Sequence, residues 1–272
     1  MSSPASRSPA AVAGLPAGVR ACLFDLDGVI TRTAVVHARA WKDTFDAFLR
    51  ARADAQVPAQ ARQGRPEPFV PFDLDHDYGE YVDGKPRLDG TRSFLASRGI
   101  TLPEGTADDQ PGAATVNGLG NAKNAEVLRR IRQDGVEVYP DAVTYLHTVR
   151  EAGLATAVVS SSANTADVLH VTGLTDLFDA RIDGVVATQR HLAGKPAPDT
   201  FLAGAAALEV PAAAAAVFED ALAGVAAGHA GRFAVVIGVD RVGHGHADAL
   251  REHGADVVVT DLTQLLTSEE NR

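Results

Sequence analysis

Two aspartates two residues apart, Asp25 and Asp27, close the apolar run Ala21-Cys22-Leu23-Phe24 and are followed by Gly28. Carboxylates at the end of such a run cost stability unless something compensates them. In extended backbone, residues i and i+2 face the same side, so both acids can look into one site. Three further segments carry polar groups in the same way: Ser160-Ser161-Ser162-Ala163-Asn164, Lys195 in a Gly-Lys-Pro turn, and Glu219-Asp220. Each alone has an ordinary explanation. Acids and serines after a strand cap the next helix, and a lone lysine is a solvated charge. Together they are three or four acids, a hydroxyl cluster at a helix start and one ammonium group.

That set suits phosphoryl transfer. A phosphate monoester dianion repels an incoming carboxylate, so its charge must be neutralised before attack. Mg²⁺ does this with hard oxygen ligands, typically one or two carboxylates plus substrate phosphate, and Asp25 and Asp220 are the candidate side-chain ligands. The Ser160 hydroxyl and the N–H groups opening the next helix can hold phosphate oxygens. Lys195 adds a point charge. Of Asp25 and Asp27, one can attack phosphorus while the other manages the proton.

The elements that must position these groups read as strands alternating with helices. Strands are predicted at 19–24, 155–159, 180–182, 214–218, 233–239 and 256–259. Helices are predicted at 35–50, 91–98, 123–134, 164–172, 198–208, 221–230 and 247–253. Alternation of this kind implies a parallel sheet with helices on both faces, and in such a sheet ligands bind at the carboxyl ends of the strands. The first strand stands roughly a hundred residues from the next, across a mainly helical stretch. The economical reading is an α/β catalytic core, residues 19–35 and 135–272, interrupted by an inserted helical cap domain at 36–134. Residues 1–18, rich in Ser, Ala and Pro, read as a disordered tail.

Composition narrows the partners. The chain has 272 residues and a formal net charge of −10, with no basic stripe. This argues against nucleic acid or an anionic membrane as partner. No stretch approaches the roughly 18 apolar residues of a membrane span. The single cysteine, Cys22, lies inside an apolar run, which fits an inert thiol and a cytoplasmic location. A monomer acting on a small phosphorylated molecule is expected. Gly243-His244-Gly245-His246 reads as surface loop, because no acid or cysteine stands at a ligand spacing.

The segment Asp25-Leu26-Asp27-Gly28-Val29-Ile30-Thr31 resembles the first motif of the haloacid dehalogenase-type phosphotransferases. Ser160, Lys195 in Gly194-Lys195-Pro196-Ala197-Pro198-Asp199, and Glu219-Asp220 before Ala221 match the second, third and fourth motifs in order. Within that superfamily the chain is most similar to the β-phosphoglucomutase branch, through His37-Ala38-Arg39-Ala40-Trp41-Lys42 and the serines flanking Ser161 before Asn164.

The resemblance implies a Rossmann-like core with an α-helical cap. It makes Asp25 the nucleophile that forms an aspartyl-phosphate and Asp27 the general acid and base. Mg²⁺ would bind Asp25, the Asp27 carbonyl and Asp220, with Glu219 nearby. Ser160, Ser161, Ser162, Asn164 and Lys195 would surround the phosphoryl group. His37 and Lys42 would form part of the cap-side substrate shell. Trp41 is a candidate there too, although cap packing is its simpler reading. Arg92 is the leading candidate to grip a non-transferring phosphate, with Lys85 and Arg87 behind it. Two positions depart from the branch: Ala163 stands where lysine is frequent, and Arg32 where an acid is frequent. The activity implied is interconversion of β-glucose 1-phosphate and glucose 6-phosphate through a bisphosphate. The alternative is hydrolysis of a sugar phosphate, for example trehalose 6-phosphate.

Overall fold

The computed structural model describes residues 8–56 and 70–266. The chain divides into two compact units, 1–33 with 84–86 and 136–272, and 34–83 with 87–135.

The first unit is built on six parallel strands: β1 (Ala21–Phe24), β2 (Ala155–Val159), β3 (Ala180–Ile182), β4 (Ala215–Glu219), β5 (Val235–Val239) and β6 (Val257–Val259), in the order β3-β2-β1-β4-β5-β6. Every residue of β1, β4 and β5 is buried, as expected when helices cover both faces of a parallel sheet. The strand order reverses direction between β1 and β4, so the ends of these two strands flank the switch point where such sheets bind ligands. The pairing is in register from Ala21 opposite Ala215 to Phe24 opposite Phe218. One more bond, Asp25 N to Phe218 O at 2.9 Å, carries it up to the first aspartate.

The helices of this unit are α1 (Pro9–Val12), α5 (Pro140–Glu151), α6 (Thr165–Thr172), α7 (Gly184–Gln189), α8 (Asp199–Ala207), α9 (Leu222–Ala230) and α10 (His246–Glu252). Those of the second unit are α2 (Thr33–Gln56, whose first residue belongs to the first unit), α3 (Arg87–Ser97) and α4 (Val116–Asp134). Leu23, Val159, Phe201, Val217, Val236 and Leu250 share one core in the first unit.

The disordered tail expected for residues 1–18 does not hold for its described part. Ser8 caps α1, Ala10, Ala13 and Leu15 are buried, and the Tyr145 hydroxyl donates to the Ala13 carbonyl at 2.8 Å. A few small apolar side chains suffice because α5 offers them a surface. That helix itself was not anticipated, although Ala142, Tyr145, Leu146 and Val149 repeat at helical spacing and are all buried. Residues 1–7 lie outside the described residues.

The second unit has its own core of Trp41, Phe45, Phe72, Phe94, Leu95 and Leu119. Trp41 stacks on Phe45 at 5.0 Å between ring centroids, and Phe45 on Phe94 at 4.0 Å. All three helices run longer than their sequence signal. The apolar stripe of α2 fades beyond Leu49, while its helical backbone continues to Gln56.

Candidate active site

The β1 and β4 carboxyl ends bring three carboxylates together. Ligand oxygens from Asp25, Glu219 and Asp220 lie within 4.8 Å of one another, and all three residues are buried. Lys195 enters this cluster from the loop before α8. Its ammonium lies 2.5 Å from Asp25 Oδ1 and 2.6 Å from Glu219 Oε1, and also donates to the Val159 carbonyl at 3.1 Å. The Phe201 ring sits beneath it, 4.8 Å to the centroid. Burial alone would lower the Lys195 pKa, but Asp25 and Glu219 outweigh it and hold the ammonium charged. For Asp25 burial dominates and raises the pKa; Lys195 opposes this, while Glu219 and Asp27 add to it. One ammonium thus faces several carboxylates, a charge excess that a bound cation would relieve.

The donor set fits a hard divalent cation: oxygen ligands, no sulfur and no imidazole. Glu219 has the least freedom to ligate. Its Oε1 accepts from Lys195 and its Oε2 from the Ala221 N–H at 2.9 Å. In this arrangement it orients Lys195 and the turn after β4. The Asp27 carboxylate is not one of the three clustered acids.

Two glycines make the close approaches possible. Gly28 has φ +91°, and a Cβ there would overlap the Asp220 carboxylate. A Cβ on Gly224 would overlap Glu219. The motif residues around the acids therefore clear space for them.

Asp27 looks into a run of hydroxyls. Thr33 Oγ1 bonds Asp27 Oδ1, and Ser160 Oγ donates to Oδ2 at 3.3 Å. Thr33 Oγ1 lies 2.6 Å from Thr31 Oγ1, which lies 3.1 Å from the Leu26 carbonyl. Two hydroxyl protons serve three contacts. With Asp27 ionised, Thr33 donates to it and Thr31 donates to Thr33. With Asp27 protonated, the run reverses: Asp27 donates to Thr33, Thr33 to Thr31, and Thr31 to Leu26 O. The run therefore accommodates either state of the carboxyl. Neither threonine stood among the sequence candidates, although hydroxyls at i+4 and i+6 after the second aspartate were a signal.

Ser160 is buried, its N–H donates to Ile182 O at 3.0 Å, and its hydroxyl accepts from the Ser162 N–H at 3.1 Å. Ser162 Oγ accepts from the Asn164 N–H at 3.1 Å, so these serines shape the turn into α6. Ser161 donates to the Gly84 carbonyl at 2.7 Å, which ties Gly84-Lys85-Pro86 to the first unit. Cys22 is fully buried, and burial raises its thiol pKa far above the usual range, so it is inert.

The remaining candidates belong to the second unit. His37 Nδ1 lies 2.9 Å from the Lys123 ammonium, which also sits 4.9 Å from the Trp41 ring centroid. The ammonium can only donate, so His37 Nδ1 is the acceptor and its ring proton is on Nε2. Lys123 was missed in the sequence. It occupies a position in line with the buried Val116, Leu119, Val127 and Ile131 of α4, and a lysine on such a stripe was the available signal. Trp41 is only 3% exposed, in accord with its packing role. The Lys42 ammonium is engaged by Asp46 and by the Phe72 carbonyl, each at 2.8 Å.

Arg92 is likewise committed. Its guanidinium pairs with Glu104 at 2.8 Å and Asp89 at 2.6 Å. Arg87 differs: its Nε is buried and has no hydrogen-bond partner, and burial lowers its pKa. A cavity of about 760 Å³ in the second unit is lined by Phe48, Leu102 and Leu119 among others and touches none of these candidates.

Residues 19–232 match the haloacid dehalogenase-like hydrolase family. The chain belongs to that family. Its place is the β-phosphoglucomutase-like branch: it is 57% identical to the β-phosphoglucomutase of Mycobacterium tuberculosis (strain CDC 1551 / Oshkosh) over 94% of each chain. It is 32% identical to that of Bacillus subtilis (strain 168) over 93% of this chain and 95% of the relative. The fold matches a β-phosphoglucomutase structure from Clostridium difficile with a TM-score of 0.66 at 24% identity, covering 91% of this chain and 93% of that one. As a member of the haloacid dehalogenase-like family the protein is an enzyme, and its branch is one of intramolecular phosphotransferases.

Proposed function

We propose that the protein is a Mg²⁺-dependent β-phosphoglucomutase that converts β-glucose 1-phosphate to glucose 6-phosphate through a bound bisphosphate. The observation that carries this reading is the buried junction of Asp25, Lys195, Glu219 and Asp220, in a chain 57% identical to a β-phosphoglucomutase. Mg²⁺ would be held by Asp25, Asp220 and the Asp27 carbonyl, and would supply neutralisation of the phosphoryl charge.

The residues then act as follows. In the first half-reaction the phosphoryl group rests on Asp25. The substrate 6-hydroxyl attacks phosphorus, the bond from Asp25 to phosphorus breaks, and Asp27 takes the hydroxyl proton, giving glucose 1,6-bisphosphate. After the bisphosphate turns round, Asp25 attacks the phosphorus at C1. The bond from that phosphorus to the C1 oxygen breaks, and Asp27 returns the proton to the C1 oxygen, releasing glucose 6-phosphate. Thr33 and Thr31 hold Asp27 in both states. Lys195 orients Asp25, opposes the rise in its pKa that burial causes, and stabilises the charge of the transferring group.

The non-transferring phosphate falls to Arg87 in this account, because its buried Nε lacks a partner, whereas Arg92 and Lys42 are held by neighbouring acids. Arg87 compensates for Ala163, where a lysine would otherwise supply charge. The test is product identity. Incubated with Mg²⁺ and β-glucose 1-phosphate, with catalytic glucose 1,6-bisphosphate added, the protein releases glucose 6-phosphate. Release of inorganic phosphate alone would instead establish sugar-phosphate hydrolysis.

A further inference from the structure

The segment Gly243-His244-Gly245-His246, which the sequence presents as an ordinary surface loop, ends the connection from β5 and opens α10 at His246. The structure gives its last histidine a different place. His246 Nε2 lies 2.7 Å from the backbone carbonyl oxygen of Asp220. A carbonyl can only accept, so Nε2 carries the proton and the imidazole donates.

That carbonyl belongs to the peptide group between Asp220 and Ala221, whose other end is also held. The Ala221 N–H donates to Glu219 Oε2 at 2.9 Å. Glu219 Oε1 in turn accepts from Lys195, which pairs with Asp25. One peptide plane is therefore pinned at both ends, by His246 at its oxygen and by Glu219 at its nitrogen. The residue that bears this carbonyl also carries the Asp220 carboxylate, which is pressed against Gly28.

The loop that carries His246 is itself anchored. Asp240 Oδ1 accepts from the N–H groups of Val242 and Gly243 at 3.0 and 2.7 Å. Arg241 donates to Asp141 at 2.9 Å, to Thr260 O at 2.9 Å and to Val29 O at 3.3 Å, and lies 3.9 Å over the Tyr139 ring. Val29 lies within the first motif, two residues after Asp27, so the same loop touches both aspartate-bearing turns.

We propose that His246 is a positioning residue that fixes the Asp220 turn for Mg²⁺ binding by donating to the Asp220 carbonyl. This rests on the assignment of Mg²⁺ to Asp25 and Asp220 made above. Partners that orient a metal ligand without touching the metal commonly govern affinity by about 10- to 100-fold.

Isothermal titration of the full chain with Mg²⁺ alone tests this, using His246→Ala, His246→Gln and His246→Phe. Glutamine can donate to the same carbonyl; phenylalanine fills the space without a donor. The proposal expects Ala and Phe to weaken Mg²⁺ binding about tenfold or more and Gln to stay within about threefold of the wild type. Should the Ala variant fail to fold, the Phe and Gln variants decide between donor and volume. Equal affinity in wild type and Phe variant, or equal losses in Phe and Gln, overturns the proposal alone. No Mg²⁺ binding by the wild type overturns the metal assignment beneath it.

Discussion

Lys195 Nζ lies 2.5 Å from Asp25 Oδ1 across 170 residues of sequence, and both groups are buried. The same ammonium touches Glu219 at 2.6 Å. Removing one partner of a buried ion pair leaves uncompensated charge and typically costs about 3–5 kcal/mol. Lys195→Ala is therefore expected to lower both stability and turnover. Denaturant unfolding at neutral pH checks the first and a mutase assay the second. If the substitution leaves the unfolding midpoint unchanged, the ammonium does not balance the carboxylates as described.

Thr33→Val removes the hydroxyl nearest Asp27 and leaves side-chain volume nearly unchanged. General acid–base contributions run to about 10²–10⁴, and a displaced or misdirected acid forfeits part of that. The expected result is a fall in kcat of about tenfold or more, with KM little altered. A change confined to KM would assign Thr33 to substrate binding instead.

Arg87 and Arg92 can be separated by parallel alanine variants. Arg87→Ala is expected to raise the bisphosphate concentration needed for half-maximal activity by about tenfold or more, the scale of a lost charge-assisted contact. Arg92→Ala breaks exposed pairs with Asp89 and Glu104, which are worth little, and should leave bisphosphate affinity close to wild type. The opposite ranking would return the distal phosphate to Arg92.

Asp77 offers a stability test away from the chemistry. Burial pushes its pKa up, but hydrogen bonds from the Asp73 N–H and from Arg98 outweigh this and leave it below the usual carboxylate range. A depressed folded-state pKa contributes stability above the unfolded value of about 3.9, lost as pH falls through the folded value. Asp77→Asn should therefore unfold more easily at neutral pH, and the difference from wild type should shrink as pH drops below about 4. A difference that stays constant with pH would show that charge plays no part.

The meeting of Asp25, Lys195, Glu219 and Asp220 was legible because polar residue types stand at strand ends. Asp25, Ser160 and Asp220 each follow an apolar run that ends in polar groups, parallel strands present such ends along one edge, and Lys195 was read from its Gly-Lys-Pro turn. Thr31, Thr33 and His246 were harder to read. Their roles depend on which oxygen each side chain meets after the chain turns, and no periodicity encodes that. Lys123 was hidden by its own helix, since a lysine among apolar neighbours reads as a snorkelling surface charge until a partner such as His37 is seen. The pairing of Arg92 was hidden for a related reason: its positive charge is visible in the sequence, whereas Glu104, which holds it, lies twelve residues away. The short helix α1 was missed because Ser, Ala and Pro mark a tail by composition, and only the α5 surface makes burial of Ala10 and Leu15 worthwhile.

The central claim, that Asp25 carries the phosphoryl group in transit, has a direct measurement. Wild type, Asp25→Asn and Asp27→Asn proteins are mixed with Mg²⁺ and glucose 1,6-bisphosphate, quenched in acid, digested and analysed by mass spectrometry. The account predicts one phosphoryl group on the peptide containing Asp25 in the wild type. It predicts slower formation of that adduct when Asp27 is asparagine, and none at that position when Asp25 is asparagine. A phosphoryl group on another residue, or undiminished mutase turnover by the Asp25→Asn protein, would contradict it.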